Sequence, residues 1–66
     1  MLSITGKELI VKLQKDGWKL ERVSGSHHIM TKAGYKPASV PVHSGKDLPP
    51  GMLNKLLKDT GLKGRW

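Results

Sequence analysis

Apolar residues in this chain recur with helical spacing at both ends and with alternating spacing in the middle, and that change of period constrains the fold more than any other feature. At the first end, Leu9, Ile10 and Leu13 form one stripe while Lys12 and Lys15 point away from it. Thr5 followed by Glu8 has the spacing of a capping box, and Ile4 and Leu9 fall where a hydrophobic staple needs them. Gly17 supplies the left-handed cap that stops the element, so the pattern predicts a helix from Gly6 to Asp16. At the other end Pro49-Pro50 suits a first helical turn, where a missing N–H is unpaired anyway. Met52, Leu53, Leu56, Leu57 and Thr60 then recur at helical spacing, Lys55 and Lys58 lie off the stripe, and Gly61 ends it.

Between these ends, Trp18 to Val42 reads with a period of two, as half-buried strands require. Trp18 and Leu20, expected to face inward, alternate with Lys19 and Glu21, and Ser24-Gly25-Ser26 breaks the run. His28 to Thr31 reads as a second strand, Ala33-Gly34-Tyr35-Lys36-Pro37 as turn chemistry, and Ala38 to Val42 as a third strand. Pro41 has no N–H for a ladder and so suits an edge or an unpaired position. Two amphipathic helices must bury their stripes, and one face of the sheet is the surface on offer. The expected fold is α+β, in the order α-β-β-β-α, with a three-stranded antiparallel sheet and both helices on one face.

Sixty-six residues make one domain, 1–66. A domain of that size buries only about 60% of the surface its unfolded chain exposes, which leaves no room for both a core and an enclosed cofactor site. No cofactor is expected, and any chemistry belongs at the surface. There is no cysteine, hence no disulfide and no thiolate metal site. No run approaches the roughly 18 apolar residues of a membrane span. Met1-Leu2-Ser3-Ile4 lacks the charged and apolar regions of a secretory signal. The expected location is the cytoplasm.

The formal net charge is +7, and most of the excess lies from residue 17 onward. Such a surface draws a polyanion. Within that region stands Gly25-Ser26-His27-His28, and histidine is the one side chain whose unperturbed pKa, about 6.5, permits proton transfer in both directions near neutral pH. A base beside a basic surface suggests RNA cleavage. A zinc site built from His27, His28, His43 and Asp47 is not expected, because neighbouring strand residues diverge and no Cys or Glu completes a familiar spacing. Ser26 as an activated nucleophile is not expected either, because no acid lies near in sequence to orient the base. Tyr35, in a turn, is a candidate for stacking on a base, while Trp18 after the helix cap is expected in the core.

Two strings in the chain, Arg22-Val23-Ser24-Gly25-Ser26-His27-His28 and Val40-Pro41-Val42-His43-Ser44-Gly45-Lys46-Asp47-Leu48-Pro49-Pro50-Gly51, carry a resemblance to a known family. Together with the Asp16-Gly17-Trp18 that ends the first helix and the Gly61-Leu62 that ends the last, they resemble HicA-type toxins, the mRNA interferase half of bacterial toxin-antitoxin pairs. The resemblance implies a double-stranded-RNA-binding-domain-like fold, metal-independent endoribonuclease activity on mRNA, and neutralisation by a HicB-type antitoxin that covers the site. It also places the catalytic histidine of the Gly-Ser-His pattern at His27, with His28 as the alternative. Two features depart from the pattern. Ala38 and Ser39 are smaller and more polar than the β-branched residues usual there, and Lys63-Gly64-Arg65-Trp66 matches nothing fixed and is expected to fray.

Strand parity sets a condition on the histidine pair, since successive side chains point to opposite faces. His27 shares the face of Ile29, expected to be buried, and His28 that of Met30. Either the Gly25 turn frees His27 from the pleat at the strand mouth, which is the expected case, or Ile29 is not core. In the implied reaction the RNA 2′-OH attacks its adjacent phosphate, so the protein supplies a base, charge stabilisation and an acid for the leaving 5′-oxygen. His27 is the candidate base. Lys32, Lys46 and the Gly25-Ser26 amides are candidate charge stabilisers. His43 is a candidate acid if the end of the third strand lies near the start of the second; otherwise it hydrogen-bonds a nearby backbone group. Two other classes stand beside the enzyme: a non-catalytic RNA-binding module and a module that complements an acidic protein. Against the former, Pro49-Pro50-Gly51 offers no lysine cluster at a helix N-terminus for RNA phosphates.

Overall fold

The first helix starts where its capping box closes. In the computed structural model, which describes residues 4–64, the Thr5 hydroxyl accepts the Glu8 N–H at 3.2 Å, and the Glu8 carboxylate accepts the Thr5 N–H at 2.9 Å. Helix α1 runs Gly6–Lys15 with Asp16 as its C-cap. Its last turn is closed by Gly17 N–H to the Gln14 carbonyl and Trp18 N–H to the Leu13 carbonyl, the paired bonds of a Schellman motif. That reversal drops Trp18 into the core. Helix α2, Pro50–Asp59, opens on Pro49 and Pro50 and ends in the same way, with Gly61 N–H to Lys58 and Leu62 N–H to Leu57. Leu62 is thereby buried, as are Leu53, Leu56 and Leu57.

Three strands form one antiparallel sheet in the order β1 (Lys19–Ser24), β2 (His27–Thr31), β3 (Ala38–Pro41). The α-β-β-β-α order agrees with the sequence. Met30, Ala38 and Val40, aligned across β2 and β3, join residues of both helices in a single core cluster, so both helices cover one face. Thr60 is buried among them because its hydroxyl donates back to the Leu56 carbonyl at 2.7 Å. Beyond β3 the chain is pinned to the start of α1 by the Thr5–Asp47 bridge and by Leu48 N–H to the Ile4 carbonyl at 2.8 Å.

Four expectations need correction. Leu20 is 42% exposed, and all six residues of β1 are exposed, because β1 is an edge strand whose side chains lie outside the core cluster. A bulge at Glu21, between the Leu20–Met30 and Arg22–Ile29 pairs, further breaks its alternation. Met52 is also exposed, at the flank of the α2 stripe beyond the free edge of β3. Ile29 is only partly buried and lies outside the core, so His27 needs no release from the pleat: it is a regular residue of β2 on the face away from the helices. Lastly, Lys63 does not fray, since its N–H bonds the Leu57 carbonyl at 3.0 Å. Arg65 and Trp66, like Met1 to Ser3, lie outside the described residues. Among the described residues no helix is long and apolar enough to cross a membrane.

Candidate active site

A two-residue turn sets the position of His27. Gly25 has φ +60° and Ser26 a negative φ, the arrangement of a type II′ hairpin in which the first central position belongs to glycine. The closing pair is Ser24–His27, so His27 is the first residue of β2. The Ser26 carbonyl accepts the Val42 N–H at 2.7 Å, which ties the end of β3 to the turn. His27 sits opposite Pro41, is exposed on the outer face, and has its Nδ1 3.2 Å from the Ser39 Oγ.

His28 points the other way. It pairs with Val23 and Val40 on the helix-covered side, and its Nδ1 is buried without a hydrogen-bond partner. One strand thus turns the two adjacent imidazoles to opposite faces of the sheet.

The remaining sequence candidates divide between the two ends of the sheet. His43 follows Val42 directly and Lys46 closes a turn onto it, with Lys46 N–H to the His43 carbonyl at 3.0 Å. Both are exposed and lie on the loop leaving β3 at the His27 end, together with Gly25 and Ser26. Lys32 lies five residues along from His27, about 16 Å at strand rise. Its ammonium is 3.3 Å from the Asp16 carboxylate and 5.3 Å from the centre of the Tyr35 ring. Tyr35 leans on Trp18 with ring centroids 5.3 Å apart and rests over Gly61, yet keeps 44% of its surface exposed. Neither Lys32 nor Tyr35 is brought to His27.

A shallow groove of about 1070 Å³ joins the two ends. It runs between the free edge of β3 and α2, and its lining includes His27, Ser39, Tyr35, Lys36, Met52 and Lys55. Lys36, Lys55, Met52 and Ser39 were not assigned to the site from the sequence. Lys55 was legible only as a residue off the helix stripe, and its place opposite β3 depends on how α2 docks. Ser39 had a faint signal, a polar residue in a strand that otherwise carries Ala38, Val40 and Pro41. Among the described residues no three His, Asp or Glu side chains gather into a metal-binding group.

At one end of this groove an exposed imidazole meets a hydroxyl partner, and two ammonium groups against one carboxylate, Asp59, line its length. That arrangement can exchange a proton and hold a polyanion. No curated protein matches the chain. The model of the HicA toxin of bacterial toxin-antitoxin systems matches residues 6–62, from the first residue of α1 to the end of the α2 cap, and the chain belongs to that family.

Proposed function

We propose that this toxin is a metal-independent endoribonuclease that cleaves mRNA with His27 as its base, and that a HicB-type antitoxin neutralises it by covering the groove. The observation that carries the reading is the setting of His27: exposed at the head of β2, held at Nδ1 by a hydroxyl, and opening into a groove lined by Lys36 and Lys55. In the reaction the ribose 2′-oxygen forms a bond to the adjacent phosphorus as the bond from phosphorus to the 5′-oxygen breaks. His27 takes the 2′-OH proton, and His43 returns a proton to the departing 5′-oxygen. The Gly25-Ser26 amides and Lys46, on the same rim, stabilise the charge that builds on the phosphorane. Tyr35, at the far end of the groove, and Lys32 beside it serve a nucleotide farther along the strand. Because the nucleophile belongs to the substrate, the protein need only position groups and shift protons.

The test is cleavage of an RNA oligonucleotide and its 2′-deoxy analogue by the purified toxin with and without EDTA. RNA alone is expected to be cut, with or without chelator. His27→Ala is expected to lower the rate about 100-fold or more, the scale of a positioned acid–base group. Induced in a bacterial host, wild type is expected to arrest growth with loss of mRNA, and the variant to be tolerated and folded. Equal cleavage by wild type and His27→Ala removes the base from this position, and salt-sensitive binding without cleavage makes the chain an RNA-binding module instead.

A further inference from the structure

The partner of His27 is more specific than its exposure suggests. On the outer face, His27 is paired with Pro41 and Ile29 with Ser39, which makes Ser39 the diagonal neighbour of His27 across the β2–β3 ladder. From there its Oγ reaches the Nδ1 at 3.2 Å. Ser39 is exposed, and serine is a poor choice for a strand on propensity grounds, where a β-branched residue packs better. Its hydroxyl is therefore the part of the side chain that has a use. A hydroxyl oxygen can accept from a ring N–H, and it is the only role open to it once the imidazole carries both protons.

We infer that Ser39 is a positioning residue for His27, holding the ring in the tautomer that carries hydrogen on Nδ1 and presents the Nε2 lone pair to the groove. The inference rests on the reading of His27 as the base. Imidazole in water prefers the opposite tautomer, with hydrogen on Nε2, which has no lone pair to offer at that atom. With Ser39 Oγ accepting from Nδ1–H, the lone pair sits on Nε2. When Nε2 takes the 2′-OH proton, Nδ1–H keeps the same acceptor, so the bond and the ring orientation persist through the step. The proton balance is simple: Nε2 gains the proton that the 2′-oxygen loses, and Ser39 neither gains nor loses one.

Four variants of the full chain test this: Ser39→Val, Ser39→Thr, His27→Ala, and Ser39→Val combined with His27→Ala. Valine and threonine have the same branching and suit an exposed strand, so they differ at this site in the hydroxyl. Readouts are the kcat and KM of RNA cleavage and the His27 ring tautomer from ¹⁵N NMR. Ser39→Thr is expected to keep wild-type cleavage and the Nδ1–H tautomer. Ser39→Val is expected to lower kcat about five- to tenfold at unchanged KM, the scale of one hydrogen bond, and to move the ring toward Nε2–H. In a His27→Ala background, Ser39→Val is expected to have no further effect, because paired residues are not additive. Unchanged kcat and tautomer in Ser39→Val, with cleavage still lost in His27→Ala, overturns the positioning role and leaves the base in place. A loss confined to KM overturns it in favour of a plain groove contact. Retained cleavage in His27→Ala overturns the underlying reading.

Discussion

At the scale of single residues, the two adjacent histidines separate by what surrounds their rings. His27 has a hydroxyl within hydrogen-bond distance and faces the groove, while His28 has a buried nitrogen with no partner between Val23 and Val40. An unsatisfied buried polar atom costs about 1–3 kcal/mol, so His28→Val is expected to raise stability in urea unfolding by about 1 kcal/mol and to leave RNA cleavage unchanged. A loss of cleavage in that variant would transfer the catalytic role. Of the site itself, His27, Gly25 and Ser26 were legible because they form a contiguous string. Ser39 was not, because its place beside His27 depends on the β2–β3 register, which no local pattern specifies.

At the scale of elements, both helices could be read from caps and stripes because capping boxes, staples and Schellman closures are local in sequence. The exposure of Leu20 and Met52 could not, since it depends on which strands the two helices cover and on a bulge at Glu21. The start of α1 shows the same contrast. Glycine at a first helical position looks replaceable, and alanine there ordinarily favours the helix. A Cβ on Gly6, however, would collide with the Pro41 carbonyl of β3. Gly6→Ala is therefore expected to destabilise the domain by about 1–3 kcal/mol, measured as a lower urea midpoint at unchanged m-value. An unchanged or higher midpoint would show that α1 and β3 are less closely joined than their packing indicates.

At the scale of the whole molecule, the +7 charge is spread over many surfaces, and the groove selects a few of its members. Each lysine that neutralises a phosphate on single-stranded RNA contributes about 0.7 to the slope of log affinity against log salt. Lys36→Ala with Lys55→Ala is expected to flatten that slope by about 1.4 for 2′-O-methyl RNA, two such contacts' worth. Lys15→Ala, on α1 away from the groove, is expected to leave it unaltered. Equal slopes for all three proteins would detach the groove from RNA binding.

The meeting of β3 with α1 has a colloidal consequence as well. Pro41 brings no donor to the strand's outer edge, and Gly6 lies against its carbonyl, so backbone pairing by an incoming protein strand has nothing to grip at that point. Crowded copies of the toxin are thereby hindered from zipping into cross-β ribbons along the free edge of β3, and the groove beside that edge stays open to other visitors.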